Sequence, residues 1–89
     1  MSAAEETDAV QLKRLRLRSW RRGTKEMDLI LGRFADRRLA DLGAADRQLY
    51  DALLSENDQD LYAWVAGREA PPERFAALVS LIAREDVAD

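Results

Sequence analysis

Arg21-Arg22-Gly23-Thr24-Lys25-Glu26-Met27-Asp28-Leu29-Ile30-Leu31-Gly32-Arg33-Phe34 is the stretch that decides the fold. Met27, Ile30, Leu31 and Phe34 fall at i, i+3, i+4 and i+7, the spacing that puts apolar side chains on one face of a helix. Thr24 is placed to cap that helix, and Glu26 and Asp28 complement the positive end of its dipole. Arg37 and Arg38 lie near its other end, where positive charge is favoured. Gly23 sits just before it, where the preceding helix must stop in a left-handed conformation.

Working outward, the same signals recur. Toward the N-terminus, a first helix is expected from about Ala9 to Arg21, behind an acidic tail over residues 1–8. Leu15-Arg16-Leu17-Arg18 alternates like a strand, but strong helix formers favour helix. Leu12, Leu15, Leu17 and Trp20 do not share one face, which suits a helix only partly packed within the chain. Toward the C-terminus, Leu42-Gly43 breaks the pattern. A third helix from about Ala44 to Ser55 presents Leu49, Tyr50, Leu53 and Leu54. Asn57-Asp58 supplies a turn and cap for a short fourth helix carrying Leu61, Trp64 and Val65, which Gly67 ends. After a loop from Arg68 to Pro71, Pro72 suits the first position of a fifth helix with Phe75, Leu78, Val79 and Ile82 again at i, i+3, i+4 and i+7. The fold class is therefore all-α: a single domain, residues 9–89, forming a small antiparallel bundle of about five short helices. Leu49, Leu53, Leu61, Phe75, Leu78 and Trp64 are its expected core.

Composition narrows the function. The chain has 89 residues, 47% hydrophobic and 35% charged, with four glycines and two prolines. That is a globular composition with too few turn residues for an all-β fold. Cysteine is absent, which excludes disulfides, thiolate nucleophiles and Cys-ligated metals. Histidine is absent too, which removes His-based triads, His-ligated metals and the side chain best suited to proton transfer at neutral pH. The four glycines are isolated, so no phosphate-binding loop is present. An enzyme is not expected, and no cofactor of its own. No apolar run approaches the roughly 20 residues that span a bilayer. Glu5, Glu6 and Asp8 near the start are unlike a signal or transit peptide, and point to a bacterial cytoplasmic protein.

The net charge of −3 is unevenly distributed. Lys13, Arg14, Arg16, Arg18, Arg21, Arg22 and Lys25 follow one another with no acid between them, whereas acids outnumber bases from Glu26 onward. Arg14, Arg18, Arg21 and Lys25 would form one stripe if the helix persisted, with Trp20 beside it as a candidate interface aromatic. Such a stripe is ordinarily a solvated face. A basic first helix also admits a rival reading, a nucleic-acid-binding domain, although the acidic remainder would repel a duplex.

Two patterns, Arg22-Gly23-x-x-Glu26 followed by Asp28, and Asp58-x-Asp60-Leu61-x-x-Trp64, together resemble the SdhE family of FAD assembly factors over about Lys13 to Glu85. The resemblance implies a protein that binds the flavoprotein subunit of succinate dehydrogenase, or a fumarate reductase relative, and promotes covalent attachment of FAD to that partner. It implies partner-binding roles for Arg22, Gly23, Glu26 and Asp28, with Arg14, Arg18, Trp20 and Arg21 alongside and Asp58 and Asp60 as secondary contacts. The helper would be a monomer when free, binding neither nucleic acid nor membrane. On that reading Arg22 is a cationic fork facing the partner, Gly23 admits the partner's backbone, and neither Arg22→Ala nor Glu26→Ala should much disturb folding. On the plainer reading, Gly23 and Glu26 only terminate and begin helices.

Overall fold

In the computed structural model, which describes residues 6–87, the chain forms α1 (Asp8–Trp20), α2 (Lys25–Arg38), α3 (Ala44–Leu53), α4 (Asp58–Val65) and α5 (Ala76–Val87). Single 3-10 turns occupy Leu39–Asp41 and Glu73–Phe75, and no strand occurs among the described residues. The all-α class and the five helices match the sequence expectation. Residues 1–5 of the expected acidic tail lie outside the described residues. The remainder of it is ordered into the fold: Thr7 caps α1 by accepting from the Val10 N–H at 3.2 Å, and Asp8 is already its first residue.

The other caps follow the local chemistry. Thr24 accepts from the Met27 N–H at 3.3 Å and Asn57 from the Asp60 N–H at 2.9 Å, each satisfying a donor that the first helical turn leaves open. Gly23 and Gly67 take φ of +101° and +80°, the left-handed backbone that their positions after helices require. Two boundaries differ from expectation. α3 stops at Leu53 rather than Ser55, because the chain turns there toward the Asn57 cap. Pro72 precedes the Glu73–Phe75 turn instead of opening α5, which begins at Ala76.

The core lies where the periodic faces meet. α2 packs on α1 and α5, and α5 on α4. Met27, Ile30, Leu31 and Phe34 of α2 are all buried, with Leu53, Leu54, Leu61, Phe75, Leu78, Val79 and Ile82 around them. Trp64 packs against Phe75 with ring centroids 6.2 Å apart, as a core residue. Leu49 is only partly buried at the edge of this cluster.

α1 resolves its mixed pattern in an unexpected way. Leu15 and Ser19 are its buried positions, while Val10 and Leu17 face outward at 55% and 44% exposure. The Ser19 hydroxyl donates to the Leu15 carbonyl at 2.8 Å and shares a 2.6 Å hydrogen bond with the Tyr50 hydroxyl, which also reaches the Leu31 carbonyl at 3.4 Å. These bonds join α1, α2 and α3 through one buried polar point. Burial pushes the Tyr50 phenol up to about 12, so it stays protonated as a donor at any physiological pH.

Trp20 lies across Gly32 of α2, its ring where a Cβ at Gly32 would stand, and its indole N–H donates to Asp36 at 3.3 Å. The glycine inside α2 is thus a seat for an aromatic ring. Gly32→Ala should displace Trp20 and lower stability by about 1–3 kcal/mol despite the better helix propensity of alanine. Thermal unfolding of the variant checks this, and an unchanged or raised Tm would show that the ring has room to move.

Candidate functional site

The turn between α1 and α2 is held by Arg22. Its Nε donates to Asp58 at 2.9 Å, one Nη to the Leu54 carbonyl at 2.6 Å and the other to the Glu56 carbonyl at 2.8 Å. Carbonyls beyond the last turn of a helix lack intrahelical donors and concentrate negative potential, so a guanidinium is well suited to them. The Arg22 backbone N–H in turn donates to the Asp28 carboxylate at 2.6 Å. Arg22, Asp28 and Asp58 therefore form one connected set that ties the turn to the end of α3 and the start of α4.

This placement differs from the expectation of a projecting cationic fork. The Arg22 side chain is only 12% exposed, and its donors are directed inward. The side chains that do face outward are Arg21, Lys25 and Glu26, with Gly23 between them. A Cβ built at Gly23 would meet nothing within 4 Å, so the surface there is open. Glu26 takes no hydrogen bond or ion pair among the described residues. The motif is divided between support and surface: Arg22 and Asp28 shape the turn, and Gly23 and Glu26 are what it displays.

Glu26 stands between two clefts formed where α2 passes α4. One, of about 230 Å³, is lined by Glu26, Leu29, Ile30, Arg33, Tyr62, Val65, Ala66 and Asp86. The other, of about 210 Å³, is lined by Thr24, Glu26, Met27, Asp58, Gln59 and Tyr62. Tyr62, which sequence reasoning missed, is common to both. Its position just after the core residue Leu61 offered no sign of this, because the cleft depends on how α2 and α4 cross. Asp60 helps cap α4, accepting from the Asn57 side chain at 3.0 Å.

The basic stripe is not continuous. α1 ends at Trp20, so Arg21 and Lys25 do not extend the line of Arg14 and Arg18. Arg14 chelates Glu6 at 2.8 and 3.1 Å and Asp51 at 2.8 and 3.1 Å, and Arg18 meets Asp51 at 2.7 Å. Charges uncompensated along the sequence are compensated in space, by an acid on α3. Hydrogen bonds from Arg14 hold both the Asp51 and the Glu6 carboxyls below their ordinary pKa. Arg47, also missed from the sequence, repeats the device. Its buried guanidinium donates to Gln11 at 2.9 Å, to the Leu42 carbonyl at 3.2 Å and to Asp8 at 3.2 Å. Trp20, seated on Gly32, is half-buried rather than a free interface aromatic.

Among the described residues no group of three or more His, Cys, Asp or Glu side chains is arranged to hold a metal, and no helix is long and apolar enough to cross a membrane.

Comparison with known proteins bears on this geometry. Residues 13–86 match the family model described as flavinator of succinate dehydrogenase. The chain is 39% identical over 62 residues to the FAD assembly factor SdhE of Legionella pneumophila strain Lens, covering 70% of this chain and 78% of that protein. It is 39% identical over 75 residues to the mitochondrial succinate dehydrogenase assembly factor 2 of Mycosarcoma maydis, covering 84% of this chain and 30% of that protein. It is 34% identical over 77 residues to the mitochondrial succinate dehydrogenase assembly factor 2-A of Drosophila persimilis, covering 84% of this chain and 48% of that protein. No solved structure matches.

Two outcomes follow from the arginine geometry. Arg22→Ala should leave Asp58 and two carbonyls without their donors and cost about 1–3 kcal/mol, whereas Glu26→Ala should cost under about 1 kcal/mol. Chemical denaturation of the two variants separates them, and equal stabilities would remove Arg22 from its supporting role. The second outcome concerns acid. A carboxyl whose folded pKa is depressed stabilises the fold fully above its ordinary pKa and loses that contribution as pH falls through the depressed value. The fold should therefore lose stability as pH falls below the ordinary carboxylate range and through the depressed values of Glu6 and Asp51, and Asp51→Asn should flatten that loss in Tm.

Proposed function

Because the chain belongs to the family of succinate dehydrogenase flavinators, we propose that it binds the flavoprotein subunit of succinate dehydrogenase, or of a related fumarate reductase, and promotes covalent attachment of FAD to it. The single observation that carries this reading is the division of the Arg22–Asp28 turn. Its supporting groups are saturated internally, while Gly23 and Glu26 are left exposed on a braced backbone.

The helper's contribution is differential binding. A small protein that binds the reactive arrangement of a flavin-loaded subunit better than other arrangements raises the population of the reactive one. The bond itself then forms by the partner's own chemistry, and the helper needs neither a catalytic centre nor a cofactor. A braced turn suits this work, since less ordering must accompany binding. Release follows each event, so moderate affinity and a monomeric free state belong to the same reading. A bacterial cytoplasmic location belongs to the same reading.

The rival nucleic-acid reading loses its main support in the first helix. Arg14 and Arg18, which phosphates would need, are held by Asp51 and Glu6. No tight duplex binding at physiological salt is expected.

The test is in-gel flavin fluorescence of the denatured flavoprotein subunit, from cells lacking the native helper and supplied with each variant. Glu26→Ala should abolish or strongly reduce the fluorescence while lowering Tm by no more than a few degrees. Full fluorescence with Glu26→Ala would return that carboxylate to the helix dipole alone.

A further inference from the structure

The larger cleft between α2 and α4 has a chemistry that the exposed turn does not. Its walls are aliphatic, from Leu29, Ile30, Val65 and Ala66, and Tyr62 closes one side. Two carboxylates, Glu26 of α2 and Asp86 of α5, border it. Neither takes a hydrogen bond or ion pair among the described residues. Arg33 lines the cleft too, but has a partner of its own. A second indication comes from Tyr62. The guanidinium of Arg68, in the loop after α4, lies over the Tyr62 ring at 5.3 Å, so this aromatic wall already attracts a cation from within the chain.

Given that the flavoprotein subunit is the partner, as proposed above, we infer that this cleft receives a lysine or arginine side chain of that subunit, its head between Glu26 and Asp86 and its stem along Leu29, Ile30 and Val65. Long basic side chains combine an apolar stem with a charged head, and the cleft offers the complementary pairing of aliphatic wall and acidic rim. Glu26 also lines the second cleft, which Thr24, the neighbour of Gly23, borders, so a partner segment seated in the larger cleft runs on toward the turn. Glu26 then does more than begin a helix: it joins the open backbone at Gly23 to a charge-selective pocket. Asp86 becomes a specificity residue that lies outside the Arg22–Asp28 motif altogether.

The experiment uses the full chain and the purified FAD-loaded flavoprotein subunit, with affinity measured by calorimetry. Asp86→Lys places a positive charge in the last turn of α5, where the dipole welcomes it, so folding should be unharmed. Affinity should fall at least about tenfold, the equivalent of about 1.4 kcal/mol. Asp41→Lys, an equal charge change at an exposed position beyond the C-terminal end of α2 and outside the cleft, should leave affinity within about twofold. As a second arm, Ala66→Cys introduces the chain's sole thiol, which carries a photo-crosslinker into the cleft. The crosslinked partner peptide should contain a lysine or arginine adjacent to the attachment point. Wild-type affinity with Asp86→Lys, equal losses with both variants, or crosslinking to a segment without a basic residue would each overturn the inference. Failure of the unmodified chain to bind the flavoprotein at all would instead overturn the proposed partner, and the wild-type arm reads that outcome separately.

Discussion

The guanidinium of Arg22 is the constraint on which the arrangement of the site depends. Three segments distant in sequence meet at it: the turn after α1, the carbonyl end of α3 and the first residue of α4. Each brings a group that would otherwise lack a partner. The carbonyls of Leu54 and Glu56 lie just past a helix, and Asp58 is an acid at 23% side-chain exposure. A planar group with donors in a fixed fork satisfies all three at once, which the single point charge of a lysine would not. Because α4 is located by this clasp, so is Tyr62, and with it both clefts against α2. The geometry of the displayed surface is thus decided by a residue that is barely on it.

The same arrangement explains why the turn holds its shape without a large core beneath it. Asp28 accepts the Arg22 backbone N–H from within the first turn of α2, and Thr24 caps that same turn. Side chain and backbone of one residue are therefore fixed from two directions. Elsewhere the chain uses arginine similarly. Arg47 gathers Gln11, Leu42 and Asp8, and Arg14 gathers Glu6 and Asp51. With no cysteine in the chain and no group arranged to hold a metal among the described residues, these forks add cross-links that a small apolar core does not supply. The Arg14 pairs, bidentate and partly shielded, belong to the class of ion pairs that contribute measurably, unlike isolated surface pairs.

What was legible in the sequence was local. The periodic faces of α2 and α5, the caps at Thr24 and Asn57, and the left-handed glycines at 23 and 67 are all determined by neighbours within one or two turns. Boundaries slipped where a distant contact intervened, as at the end of α3. The site was half legible. Gly23 and Glu26 could be singled out because their residue types are tied to a turn, yet nothing near Arg22 in sequence announced that its donors would be consumed by carbonyls more than thirty residues away. For the same reason seven basic residues between Lys13 and Lys25, with no acid among them, read as a positive surface, when Asp51 neutralises two of them across the fold. Ser19 was hidden by its type: a serine in an arginine-rich helix carries no hydrophobic signal, and only the tertiary packing reveals it as buried.

Gly23 shows how a structural and a functional demand can rest on the same atom without being the same demand. Its φ of +101° lies where a side chain is strained whatever the space around it, so glycine is favoured by the backbone alone. No neighbour crowds it, however, and the region a Cβ would occupy is empty. If turn geometry were the whole reason for glycine here, asparagine would be the least costly replacement, since it enters positive-φ backbone more readily than other side-chain-bearing residues. Under the proposed role it would not be tolerable, because its side chain would fill the opening left for the partner. The backbone requirement limits the position to a few residue types, and the open space then selects among them. Under the proposed role, a free domain would bear only the first constraint and the complex both, so stability of the isolated chain and performance of the assembly would not move together at this position.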